Sequence, residues 1–250
     1  MNFIAIDTET GGTRSGKHAL LSIGAAVSWD TEHTTFLRYC HPADGYTIEP
    51  EAARINGYTP DLWAQRGAIP LEHAMRDLAD FLADAFRQRP HARMLAHNAG
   101  FDRAFLEESA VICGIRLPIR HAWRCSMDKM GTLIDRGLIP NGNAKLDRLG
   151  ELSGQWEPNQ RPPVHDALHD ALACLRGYQW LLKKEKGAED TLRDLYNISL
   201  TERRRLEDLF VKLGAWMDSE ADWDECGEMA NLISAERTRI LAEKEKAEAP

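Results

Sequence analysis

Residues 2–7 (NFIAID) are an apolar, β-branched run that ends on a carboxylate, and a second carboxylate follows two positions on at Glu9. A run of this composition closed by a glycine-rich turn reads as a strand, and the period of two sets Asp7 and Glu9 on one face of it. Two carboxylates at ~4 Å repel by ~4 kcal/mol for an effective dielectric of ~20. A hard divalent cation removes that cost, because it takes oxygen ligands. Glu49/Glu51, Asp222/Asp224 and Glu243/Glu245 share the spacing but read as solvated faces. Asp7 and Glu9 differ in context. They close an apolar strand expected at the centre of a sheet, where unpaired charge is costly. Thr10-Gly11-Gly12 come next, and such glycines let a backbone approach a ligand closely.

The rest of the chain supplies the layers around that strand. Residues 19–29 and 33–41 read as two more strands, and the Pro/Gly-rich stretch 42–70 as loop with a short helix near 51–56. Leu71, Met75, Leu78, Leu82 and Phe86 fall at helical spacing. Residues 92–96 form a short strand, and Asp102 opens a helix that Gly114 stops. Helices are expected over 122–136 and 143–153, an irregular segment over 154–163 with its three prolines, and a long helix to about Lys184. Strands first, then alternating strand and helix, indicate a mixed-sheet α/β fold over residues 1–187. Residues 188–250 read as an appended helical hairpin. Thr201 caps its first helix, whose stripe runs through Leu206, Leu209, Phe210, Leu213, Trp216 and Met217.

Two further segments carry chemistry. Asp102 ends His97-Asn98-Ala99-Gly100-Phe101-Asp102, just after the 92–96 strand. Asp is also a good helix cap, and the two uses coexist at a helix start. His165 and Asp170 lie in HDALHDA, just beyond Pro162-Pro163. An i, i+5 pair does not share a helical face, so His165 points from the loop and Asp170 from the helix body. That arrangement suits a base acting on water beside a metal held by the aspartate. Asp166 reads as a cap and His169 as a surface or packing histidine.

Asp7-Thr8-Glu9-Thr10-Gly11, His97-Asn98-Ala99-Gly100-Phe101-Asp102 and His165-x4-Asp170-Ala171 resemble the three motifs of the DEDDh 3′–5′ exonucleases, a family that includes DnaQ-like proofreading subunits, RNase T, oligoribonuclease and the TREX enzymes. Ala144-Lys145-Leu146-Asp147-x-Leu149 resembles the stretch before the family's last motif. The resemblance covers about residues 1–184 and implies an RNase H-like fold, a mixed five-stranded sheet flanked by helices. It implies two Mg²⁺ or Mn²⁺ ions, held by Asp7, Glu9 and Asp170 with Asp102 helping through water, and His165 as the base. It places the last nucleotide against Thr10, Gly11 and Phe101, with Asn56, His97 and Asn98 as further substrate contacts. In one place the chain departs from the pattern: it reads Asn56-Gly57-Tyr58-Thr59 where relatives often carry His-Gly-Ile/Leu-Thr.

Charge narrows the partners. The net charge is −8, which argues against a broad basic surface gripping duplex DNA. The expected substrate is the 3′ end of single-stranded nucleic acid, DNA rather than RNA. An exoribonuclease with the same site is the alternative, and a catalytically silent nucleic-acid-binding scaffold a more distant one. Most of the negative charge, −7, lies in residues 188–250, so the catalytic part is nearly neutral. The hairpin reads as core packing, or as a surface for a homodimer or protein partner. Five cysteines with no C-x-x-C pair exclude a disulfide scaffold or zinc ribbon. No long apolar run and no leader-like start (MNFIAIDTETGG) occur, so no membrane span and a cytoplasmic location are expected.

Overall fold

The computed structural model describes residues 2–28, 33–119, 122–157 and 164–196. Met1–Glu185 is one compact unit; Lys186–Pro250 is a second, in which the described residues are the last turns of a helix. The expected hairpin after residue 196, including Thr201 and its apolar stripe, lies outside the described residues, as does Cys226.

Five strands form a mixed sheet in the order β3-β2-β1-β4-β5. β1 (Phe3–Thr10), β2 (Leu20–Ser28) and β3 (His33–Tyr39) make an antiparallel meander. β4 (Arg93–Ala96) and β5 (Arg124–Cys125) add in parallel on the other side of β1. β1 is therefore central, as its apolar composition requires. It also continues through Glu9 to Thr10, because β2 keeps pairing with it across a bulge at Glu9/Thr10. The carboxylates, expected at the end of the strand, thus have one more paired residue, Thr10, beyond them.

The alternation of β1 divides the core in two. Ile4 and Ile6 pack with Met75, Leu78 and Leu82 of α3 (Leu71–Gln88) and Phe105 and Leu106 of α4 (Ala99–Ile112). Phe3 and Ala5 face the opposite side. There they meet Met130 and Leu133 of α5 (Ser126–Asp135), Leu146 and Leu149 of α6 (Leu146–Leu152), and Leu175, Tyr178 and Leu181 of α7 (Ala167–Tyr196). By the same parity Asp7 and Glu9 fall on the α7 side and Thr8 on the α4 side.

Three elements differ from the sequence expectation. β5 occupies residues read as the start of a helix; two residues are too few for any periodicity to register. The stretch 42–70 holds α1 (Pro50–Asn56) and also α2 (Pro60–Gln65). The α2 start is a Thr-Pro pair: the Thr59 hydroxyl accepts from the Leu62 amide at 3.1 Å and Pro60 takes the first turn. Finally, α7 runs to Tyr196, beyond the expected end near Lys184. Among the described residues no helix is long and apolar enough to cross a membrane.

Candidate active site

Asp7, Glu9, Asp102, His165 and Asp170 line one cleft of about 230 Å³, although they come from segments up to 163 residues apart. β1 delivers Asp7 and Glu9. Asp102 arrives from the opposite side of the sheet, on the first turn of α4. It is not the cap of that helix. Asn98 holds the N-cap position, with a left-handed backbone (φ 72°) and no side-chain cap bond. Asp102 instead reaches β1, where its Oδ1 accepts from the Thr8 amide at 3.0 Å and the Thr8 hydroxyl at 2.9 Å. Burial pushes the Asp102 carboxyl up to about 7, the Thr8 bonds oppose that shift, and the nearby Asp170 charge adds to it.

α7 brings the other two residues. Asp166 caps it, Oδ1 accepting from the amides of Leu168 and His169 at 3.1 Å each while Oδ2 accepts from the Tyr39 hydroxyl at 3.0 Å. Desolvation and the Asp166 charge hold that phenol up at about 12. His165 stands on the loop before the helix, as its spacing required, and its amide donates to Ile55 O of α1 at 3.1 Å. Its Nδ1 lies 3.8 Å from Asp170 Oδ2. Asp170, in the helix body, is buried. His169 is exposed and stacks on Trp156 with ring centroids 5.7 Å apart.

One glycine makes this convergence possible, and the motifs did not single it out. Gly24 of β2 pairs with Asp7. A Cβ there would sit 2.2 Å from the backbone of Ala167 and Leu168, so the start of α7 rests directly on the sheet beside Asp7. A lone glycine inside the apolar run LLSIGAAVS is the signal that marks such a close backbone approach. Gly11 and Gly12 are also closely packed against the chain itself. A Cβ on Gly11 would meet Thr47 O at 2.5 Å, and one on Gly12 the His18 ring at 2.3 Å. Both are needed for packing within the chain; Gly12 lines the cleft and Gly11 does not.

The expected substrate contacts divide between two clefts. Thr10, Asn56 and Phe101 line the first, with Ala52 and Ile55. Thr10 Oγ1 donates to Gly12 O at 2.7 Å. The Asn56 amide is committed internally, Nδ2 donating to Thr10 O and Oδ1 accepting from the Tyr58 amide, both at 3.0 Å. It braces the cleft wall with one of its two N–H donors. The half-buried Phe101 ring lies 4.9 Å from that of Phe105 and packs on the core as well as lining the cleft. His97 and Asn98 line a second cleft of about 510 Å³, which meets the first at Asp7, His165 and Asp170. His97 Nδ1 is 2.8 Å from Ser126 Oγ, which in turn lies 3.3 Å from Cys174 Sγ. Burial pushes the Cys174 thiol up, leaving it an inert core group.

Among the described residues, one group offers ligand atoms close enough to share a cation: Glu9, His165 and Asp170, all within 4.8 Å of one another. Asp7 and Asp102 border the same cleft outside that triplet. Buried carboxylate oxygens with no Lys or Arg in the first cleft wall are the donor chemistry that a hard divalent cation requires.

A family model described as an exonuclease of the RNase T type matches residues 4–178. Ribonuclease T of Baumannia cicadellinicola is 33% identical over 115 residues, 43% of this chain and 52% of that protein. Ribonuclease T of Klebsiella pneumoniae is 31% identical over 121 residues, 45% and 56% of the respective lengths. The matched stretch thus spans about half of these relatives. Among solved structures, Escherichia coli exonuclease I in complex with a dT13 oligonucleotide superposes with a TM-score of 0.61 at 19% identity, covering 76% of this chain and 43% of that one. The zinc-bound form of its single-stranded DNA complex gives 0.53 at 22% identity, covering 69% and 38%. At these identities the likeness concerns the fold.

Proposed function

Because the chain belongs to the RNase T-type exonuclease family, we propose that it removes nucleotides one at a time from the 3′ end of single-stranded DNA, releasing nucleoside 5′-monophosphates with the help of two Mg²⁺ or Mn²⁺ ions. The observation that carries this reading is the convergence of Asp7, Glu9, Asp102, Asp170 and His165 on one cleft. It also counts against a silent scaffold, since all five groups are present and face the same space. The catalytic part is residues 1–187, with 188–250 as an extension through which a homodimer or protein partner would attach.

The carboxylates fit the ions by donor chemistry. Asp7, Glu9 and Asp170 would hold one, and Asp7 would extend to the second with Asp102 helping through water. Bound there, a pair of divalent ions supplies a nucleophilic water at neutral pH and charge stabilisation for the attacking and leaving oxygens of an in-line displacement. His165 takes the proton of that water, a task its imidazole suits near neutral pH. The backbone bond from His165 to Ile55 and the Asp166 cap fix where the ring stands. The water oxygen joins phosphorus, and the 3′-oxygen of the retained strand leaves. Phe101 and Ile55 supply an apolar wall for the last base. Stacking there is worth ~1–3 kcal/mol and tolerates any sequence.

A second reading has its own support: the relatives at 31–33% identity are named ribonucleases, so the same site acting on RNA 3′ ends competes with the DNA reading. Matched 5′-labelled DNA and RNA strands, incubated with Mg²⁺ or with EDTA, separate the two. The proposal expects a Mg²⁺-dependent ladder shortening from the 3′ end, faster on DNA. Faster shortening of RNA selects the second reading. Release of the labelled 5′ nucleotide first, or no ladder on either polymer, overturns both.

A further inference from the structure

The two clefts meet at Asp7, His165 and Asp170, so a phosphodiester positioned for attack lies on their shared wall. One cleft then holds the departing nucleotide and the other the strand left behind. The first is the smaller, with the apolar wall of Ala52, Ile55 and Phe101 suited to a single base and sugar. The second carries Lys145, and among the described residues it is the one Lys or Arg lining either cleft. Its side chain is exposed and makes no ion pair with a described residue.

The loop that presents Lys145 is built rather than loose. Arg148 spends its guanidinium on it, Nη1 donating to Asn143 O at 2.8 Å and Nη2 to Pro140 O at 2.5 Å and Asn141 O at 2.8 Å. Gly142 lets that guanidinium in: a Cβ there would lie 2.6 Å from Arg148 Cζ. The Lys145 amide donates to Asn143 Oδ1 at 3.0 Å. The next residue, Leu146, and Leu149 anchor α6 in the core. The Arg148 donors are thus spent on the loop's own carbonyls, whereas the Lys145 ammonium is presented on a fixed base in the lining of an otherwise acidic cleft. A polyanion that must cross this region next to Asp7, Asp147 and Asp170 finds one basic side chain in the cleft lining, Lys145.

Building on the exonuclease reading above, we propose that Lys145 binds the phosphodiester immediately 5′ of the scissile one, which makes the second cleft the track of the retained strand. An ammonium on a flexible stem is suited to a single phosphate as a point charge.

Three substrates test this with wild type, Lys145→Gln and Lys145→Arg, scored at the first cleavage. They are a plain oligodeoxynucleotide, the same strand with a neutral methylphosphonate at the phosphate 5′ of the scissile one, and the p-nitrophenyl ester of thymidine 5′-monophosphate, which has no such phosphate. Lys145→Gln should lower kcat/KM on the plain strand by about three- to tenfold, mainly through KM. Its salt-dependence slope should fall by about 0.7. The ester should be hydrolysed as by wild type, and Lys145→Arg should restore most of the loss. Wild type should lose a similar factor on the methylphosphonate strand, with no further loss in Lys145→Gln. Equal slowing of strand and ester, or a methylphosphonate penalty that persists undiminished in Lys145→Gln, overturns the assignment while leaving the exonuclease reading intact. Hydrolysis of neither strand nor ester by wild type overturns both.

Discussion

The first half of β1, Phe3–Ile6, and its second half, Asp7–Thr10, are nearly equally buried by opposite means. Phe3, Ile4, Ala5 and Ile6 are withdrawn from solvent among helices on both faces, and each large side chain contributes about 1.5–3 kcal/mol. Glu9 is 7% exposed, and the carboxylates converging on this half, Asp102 and Asp170, are 2% and 3% exposed. There burial opposes ionisation, as the raised Asp102 carboxyl records. One half of the strand holds the fold together, and the other draws on that stability to keep four acids in one place. Substitutions in the two halves should therefore fail in different ways.

Asp7→Asn should abolish metal-dependent cleavage and leave the folded state intact, checked by activity beside a thermal melt. Ile6→Ala should do the reverse, costing about 2–5 kcal/mol of stability with little loss of rate per folded molecule. His165→Ala should slow cleavage by about 10²–10⁴-fold without altering the melt; wild-type rate in that variant removes the base assignment. Asp102→Asn sharpens the contrast. In the folded chain Asp102 keeps its proton up to about pH 7, against an ordinary value of 3.8. Folding therefore takes up a proton between those values, and metal-free stability falls as pH rises through that window. An asparagine keeps the acceptor for Thr8 without the charge. In EDTA at pH 8 the variant should be more stable than wild type, with the gain vanishing below pH 4 and activity lost throughout. The smallest effect is expected of Phe101→Ala, which should weaken binding of the terminal nucleotide by about 1–3 kcal/mol, read as KM.

The sequence reveals these regions unequally, for physical reasons. β1 is legible because it pairs an apolar run with carboxylates that have no reason to sit beside it, α3 because its apolar residues recur at helical spacing, and the HNAGFD and HDALHDA segments because their acids and histidines follow a strand and a proline pair in the order the family motifs require. The relation of His165 to Asp170 follows from helical geometry just beyond the Pro162-Pro163 pair, and the Asp166 cap from the preference of aspartate for a helix start. β5 is invisible because its pairing with β4 comes from the tertiary structure, not from its two residues. Gly24, Gly11 and Gly12 are visible as glycines, but their reasons, the backbone of α7, Thr47 O and the His18 ring, come from segments distant in sequence. The division of expected contacts between two clefts was likewise unreadable, because His97 and Asn98 lie next to Phe101 in sequence but line a different space.

The central claim is that the charged half of β1 and its partners form a cage for divalent ions. Isothermal titration of the full chain with Mn²⁺, wild type beside Asp7→Asn, tests it most directly. Saturable uptake approaching two ions per wild-type chain, lost or halved in the variant, is the predicted result. No heat of binding up to millimolar Mn²⁺, or identical isotherms for the two proteins, would contradict it.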